Sequence, residues 1–336
     1  MLPIILALSG AQLTPDERAF FADAEPAGFI LFGRNCIDPA QLRALTHDLR
    51  ALTGRTDLPI LVDQEGGRIA RLRPPGWPEQ PAAPVFDRLY ARAPISAMEA
   101  ARLHGAALAA MLRESGINVN CAPLLDIAGP HSHPIIAERA LGREPMQVAS
   151  LGRAWLDGMR EGGIAGVVKH MPGQGRAAVD SHVGLPVVAA SEAELDADTA
   201  PFRALAAAAP IAMTAHVIYQ AWDADLPATL SPRVIREVIR GRIGFDGLLI
   251  SDDIVMAALS GPAPERALAA LRAGCDLILH CSADIAEMQA IAAALPEVEA
   301  EARERLDRAL AWASAPDREQ DALSLAARRD ALLAYT

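Results

Sequence analysis

The chain is poor in the features that mark several common protein classes. It has only four cysteines in 336 residues (Cys36, Cys121, Cys275 and Cys281), and no two of them form a CxxC. This argues against a disulfide framework, which small secreted domains use in place of a large core. Cys275 and Cys281 flank an apolar run that ends at His280, which invites a metal reading; buried core thiols are the plainer one. No stretch approaches the roughly 20 apolar residues that cross a bilayer. The opening MLPIILALSG has an apolar run, but no Lys or Arg precedes it and it is short for a secretory signal, so it reads as a buried strand. No Lys/Arg cluster is interleaved with aromatics. The net charge of -11 and pI near 5.2 disfavour phosphate backbones and anionic membranes. The expectation is a cytoplasmic protein, a monomer by default, with neither nucleic acid nor membrane as partner. No HExxH-type spacing is present, and no metal or organic cofactor is expected.

With 51% hydrophobic and 22% charged residues the chain can bury a large core. Eight short, near-continuous apolar runs stand out: Pro3–Leu8, Gly28–Phe32, Leu58–Val62, Ile117–Cys121, Ala165–Val168, Ile211–Ala215, Leu248–Ile250 and Cys275–Leu279. Such runs suit parallel strands covered on both faces. Helical patterns separate most of them: Thr14–Ala24, Pro39–Leu52, Ser96–Ser115, Met146–Glu161, Ser191–Ala208, Pro232–Ile243 and Pro264–Ala273. The first opens with TPDE, which combines a capping residue, a proline and early acids. Ala283–Leu295 and an Arg/Glu-rich stretch from Val298 close the chain, and the tail after Trp312 reads as a surface helix. Strand–helix alternation with eight strands predicts an α/β fold, a (β/α)8 barrel, with a doubly wound sheet as the alternative. No GxGxxG follows the first strand, so a dinucleotide site lacks support. Residues 1–336 read as one domain, with helices from about residue 297 on its outside. The Pro-rich Arg73–Pro84 reads as a rim loop.

In a parallel barrel the chemistry sits at the carboxyl ends of the strands. Those ends carry Asp63, Asp126, Lys169 and His170, His216, then Ser251, Asp252 and Asp253, then His280. Strand ends are always more polar than strand middles, but this density of His, Lys and Asp exceeds that default. In the glycine-rich loop GVVKHMPGQGRAAVDSHVGLP, Asp180 and His182 stand two residues apart. A carboxylate there can orient an imidazole whose ordinary pKa of about 6.5 suits proton exchange. Alone, a DxH in a loop is equally a pair of surface polar residues. In FDGLLISDDIVM one of two adjacent carboxylates either caps the next helix or faces the barrel mouth.

Together these stretches resemble the bacterial β-N-acetylglucosaminidases of glycoside hydrolase family 3, of the cytoplasmic type used in cell-wall recycling. The likeness covers roughly residues 3 to 282. It rests on KHMPGQGRAAVDSH, the SDD of LLISDDIVM, VDQEGGRIAR, APLLD followed by IAERALG, MTAHVIY and PATLSP, six motifs in the family's order. The resemblance implies Asp252 as nucleophile and His182 as acid/base, with Asp180 as its dyad partner. It implies that Asp63, Arg71, Arg139, Lys169 and His170 bind the sugar. Each has a plainer alternative: a turn cap for Asp63, structural ion pairs for Arg71 and Arg139, a supporting role for Lys169 and His170. Asp253 is a lesser rival to Asp252. Arg68 and His216 match motif positions and are expected to shape the site. The chain departs from the family where Gln174 replaces a histidine and Met171 an aromatic residue.

The implied reaction is retaining hydrolysis of terminal β-linked N-acetylglucosamine through a glycosyl–enzyme. The close alternative is a phosphorylase, because a neutral imidazole repels an incoming phosphate less than a carboxylate would. Readings from other classes are a Schiff-base lyase on Lys169, a metal hydrolase using His170, His216 and Asp252, and a sugar-binding protein without turnover.

Overall fold

The computed structural model describes residues 1–130, 132–313 and 321–335. Each of the eight apolar runs contributes a barrel strand: β1 (Leu2–Ala7), β2 (Pro26–Leu31), β3 (Ile60–Val62), β4 (Val119–Asn120), β5 (Ala165–Met171), β6 (Ile211–Thr214), β7 (Leu248–Asp253) and β8 (Leu277–His280). All pair in parallel, each with its neighbour in sequence. The circle closes where Ile4, Ile5 and Leu6 of β1 align with Ile278, Leu279 and His280 of β8. That closure removes the doubly wound alternative and gives a (β/α)8 barrel.

Two strands run further than their apolar runs suggest. β5 continues through Lys169 and His170 to Met171, held by Met171 opposite Thr214 and by a bridge from Lys169 to Leu124. β7 continues through Ser251 to Asp253, opposite Leu279. Their polar ends are therefore held in the ladder itself. Two short helices, Pro84–Tyr90 and Pro134–Ala137, and a two-stranded parallel pair, Val187–Val188 with Ile218–Tyr219, have no counterpart in the sequence reading. They are too short to leave a period.

The first helix begins where its cap predicts. Thr14 Oγ1 accepts from the Glu17 amide at 3.1 Å, and Glu17 returns a carboxylate to the Thr14 amide at 2.9 Å, ahead of helix Pro15–Ala24. The expected helix Pro232–Ile243 is instead a π-helix over Val234–Ile243. Alternation along the strands builds two cores. Ile5, Ala7, Leu61, Val167, Met213, Ile250 and Leu279 fill the barrel, while Ile4, Leu6, Ile60, Val62, Val168 and Leu249 face the helices.

The chain end is more deeply engaged than a surface tail. Helix Ala300–Leu310 places Leu306 and Ala309 in the barrel-interior cluster, at the end opposite the polar strand ends. Helix Ala322–Leu333 packs Leu325 and Ala326 against Leu103, Ala106 and Ala107 of helix Pro94–Glu114. Residues 314–320 and 336 of the tail lie outside the described residues.

Candidate active site

The inward parity of the strands decides which polar residues meet. Asp63 follows inward Leu61, Lys169 follows Val167 and Asp252 follows Ile250, each two residues on. They line a cavity of about 330 Å³ at the carboxyl ends of the strands, together with Arg71, Arg139, His170, Asp180 and His182. All eight residues singled out from the sequence thus share one cavity. Arg68 lies on its rim, paired with Glu138 at 2.9 Å. His280 has the opposite parity and turns outward to Glu287 at 2.8 Å.

The centre of the site is an ion lattice. Lys169, only 2% exposed, sits 2.9 Å from Asp63 and 2.8 Å from Glu65. Asp63 also takes Arg71 at 3.0 Å, and Glu65 takes Nη2 and Nε of Arg139 at 2.7 and 2.9 Å. Fork-to-fork pairing of this kind is directional as well as strong. Burial opposes the charge on Asp63, but Lys169 and Arg71 hold its carboxyl far below the ordinary range. Burial likewise works against Glu65, and Arg139 and Lys169 outweigh it, bringing its pKa to about 2. Burial alone would discharge Lys169; the two carboxylates instead push its pKa up, so the amine stays an ammonium. A Schiff-base lysine needs a lowered pKa, and the lyase reading loses its basis here.

Glu65 was not among the residues singled out from the sequence, although it stands inside VDQEGGRIAR. The rest of that motif shapes the loop. Gln64 Oε1 accepts from the Arg71 and Leu72 amides at 2.8 and 3.0 Å, so the loop folds back and aims Arg71 inward. Gly66 has φ +110°, and a Cβ there would lie 2.2 Å from the Pro81 carbonyl oxygen. Because the folded pKa of Glu65 lies below its ordinary 4.5, its contribution to stability is full above pH 4.5 and declines as pH falls towards about 2. The melting-temperature gap between wild type and Glu65→Gln is therefore expected to be largest near neutral pH and to shrink below pH 4.5. A gap independent of pH contradicts the lattice.

Asp126, placed at a strand end by the sequence but given no role there, is a buried clamp. Fully buried, it accepts His170 Nδ1 at 2.8 Å and the amides of His170 and Gln174, and so orients the ring on the cavity wall. His216 is buried behind Asp252. Its Nε2 donates to the Asp253 carbonyl at 2.9 Å and its Nδ1 meets Thr229 Oγ1 at 2.7 Å, which accounts for the MTAHV and PATLS segments. Burial pushes its pKa down. His170 and His216 both have ring nitrogens engaged by protein, which leaves the metal-hydrolase reading few free ligands.

The two acids of β7 have different surroundings. Asp253 Oδ1 accepts the Val255 and Cys281 amides at 3.2 and 3.1 Å, and burial pushes its carboxyl up. Asp252 Oδ1 accepts only the Asp253 amide, at 2.8 Å, and Oδ2 has no partner among the described residues. Burial acts against its charge, but His170, His216 and Lys169 hold its carboxyl below the usual range. Asp252 is thus an ionised carboxylate with one free oxygen in the cavity.

Across the cavity wall His182 is exposed, with Nδ1 2.9 Å from Asp180 Oδ1, and its Nε2 has no partner among the described residues. Burial opposes the Asp180 charge, but the His182 amide and ring together outweigh it and hold its carboxyl below the usual range. Gln174, where the family has histidine, is buried beneath this loop. Its Nε2 lies 3.4 Å from Ser181 Oγ, and its Oε1 is buried without a partner among the described residues. Arg71 Nε is likewise unpartnered. Both residues line the cavity.

Residues 5–312 match the family model described as the glycosyl hydrolase family 3 N terminal domain. The chain is 44% identical over 284 residues to a Beta-hexosaminidase of Alkalilimnicola ehrlichii, covering 83% of this chain and 80% of that one. It is 38% identical over 312 residues to a Beta-hexosaminidase of Aromatoleum aromaticum, covering 91% and 86%. Among solved structures it is similar to NagZ from Neisseria gonorrhoeae in complex with N-trifluoroacetyl-D-glucosamine, with a TM-score of 0.87 at 30% identity over 99% of this chain and 97% of that one. With a family model spanning most of its length and relatives of this identity and coverage, the chain belongs to glycosyl hydrolase family 3.

Proposed function

We propose that this glycoside hydrolase is a retaining exo-β-N-acetylglucosaminidase, with Asp252 as nucleophile and the His182–Asp180 pair as acid/base. The observation that carries the reading is the pairing, in one cavity, of an ionised carboxylate with a free oxygen and an imidazole with a free Nε2. The names of the relatives support the substrate class. His182, protonated, donates to the glycosidic oxygen as Asp252 attacks the anomeric carbon. Neutral His182 then takes a proton from water as the glycosyl ester is hydrolysed. Asp180, kept ionised, holds the ring and balances its charge. Asp63, Arg71, Arg139, Lys169 and His170 hold the sugar hydroxyls by charge-assisted bonds. The natural substrate in this reading is a peptidoglycan-derived muropeptide, and the enzyme works as a cytoplasmic, single-domain monomer. No helix among the described residues is long and apolar enough to cross a membrane.

The test is hydrolysis of a chromogenic N-acetyl-β-glucosaminide beside the matching β-glucoside, with and without phosphate. Cleavage of the N-acetyl substrate, with free sugar as the product in both buffers, is the expected result. A sugar phosphate would move the reading to a phosphorylase, which the comparisons do not support. Failure to cleave either glycoside would overturn the reading.

A further inference from the structure

The C-terminal helix Ala322–Leu333 lies behind the barrel wall, yet its Arg329 is 2% exposed and points inward. Its NH1 donates to Gln80 Oε1 at 2.7 Å and to His104 Nδ1 at 3.0 Å. A guanidinium has no acceptor, so His104 Nδ1 is unprotonated and the ring proton sits on Nε2. That Nε2 lies 3.3 Å from the Glu65 backbone carbonyl and donates to it. The ring cannot swing away: Trp155 meets it edge-on at 4.3 Å and Phe86 closes the other side at 5.2 Å. Gln80 is tied to the same loop, because its carbonyl accepts the Gly67 amide at 2.9 Å. Glu65 in turn holds Lys169 and Arg139. One guanidinium therefore grips, at two points, the loop that carries Asp63, Glu65 and Arg71.

We infer that Arg329 and His104 are positioning residues for the sugar site, and that the C-terminal helix sets the Glu65–Lys169–Arg139 lattice through the Arg329–His104–Glu65 carbonyl chain. The inference rests on that lattice being the sugar site. Neither residue touches the cavity, so their effect is on geometry, where a displacement of about 1 Å can cost up to about 10²-fold in rate.

The experiment uses the full chain and the chromogenic N-acetyl-β-glucosaminide. Arg329→Leu removes both grips. His104→Phe keeps a ring between Phe86 and Trp155 but removes the donor. Each is expected to lower kcat/KM by about 10- to 100-fold, with weaker inhibition by N-acetylglucosamine. The double variant is expected to lose less than the two singles combined, because they share the His104–Glu65 carbonyl link. Arg329→Lys is expected to recover part of the loss and replaces Arg329→Leu if the latter does not fold. Leu325→Ala, which loosens the same helix without touching the chain, controls for stability. It is expected to lower the melting temperature while keeping wild-type kcat/KM. Either single variant, folded at the assay temperature and within two-fold of wild-type kcat/KM, would overturn the inference, as would fully additive losses in the double. An inactive wild type would instead sink the functional reading, so the two failures are distinguishable.

Discussion

Asp252→Ala is expected to lower kcat for the N-acetyl-β-glucosaminide by about 10⁴-fold or more, the scale on which enzymes lose activity with their nucleophile. No neighbour can substitute. Asp253 also borders the cavity, but its Oδ1 is occupied by two backbone amides and its carboxyl is pushed up by burial. Asp253→Asn keeps an oxygen at that position and is expected to lose far less. Steady-state kinetics on the two variants checks both statements. Comparable losses would mean that the β7 terminus acts as a unit, and activity retained in Asp252→Ala would remove the nucleophile assignment.

The second large effect is at His182. His182→Ala is expected to lower turnover by about 10²- to 10⁴-fold on glycosides with poor leaving groups. Activated aryl glycosides depart without protonation, so the first step survives better and the second, which needs a base, becomes limiting. The glycosyl–enzyme then accumulates and KM falls together with kcat. Azide needs no base to attack and is expected to restore turnover, giving a β-glycosyl azide. A variant with unchanged KM and no response to azide would place the acid/base elsewhere. Asp180→Asn is expected to do less harm, because the ring keeps its place while losing the charge that supports its protonated form.

Much of the site was legible because strand parity is simple. Once Leu61, Val167 and Ile250 are assigned to the interior, Asp63, Lys169 and Asp252 follow at a spacing of two, and the motifs agree. What was not legible depends on partners distant in the chain. Glu65 is an unremarkable acid in its motif until Arg139, 74 residues on, closes on it. Asp126 becomes the clamp of His170 only across 44 residues. Arg329 reaches His104 across 225, from a tail that reads as a surface helix by composition. Periodicity carries no record of such pairs. The lengths of β5 and β7 were missed for a related reason. Polar residues end an apolar run, whereas here their backbone stays in the ladder while their side chains turn into the cavity.

The most direct test of the account is to trap the intermediate. A 5-fluoro N-acetylglucosaminyl fluoride has a good leaving group and a destabilised oxocarbenium-like transition state, so glycosylation outruns hydrolysis. Intact-mass analysis is expected to show one added glycosyl group, and peptide mapping to locate it as an ester on Asp252 in LLISDDIVM. A label on any other residue, or turnover that releases the α-anomer first with no adduct, would contradict a double displacement at Asp252.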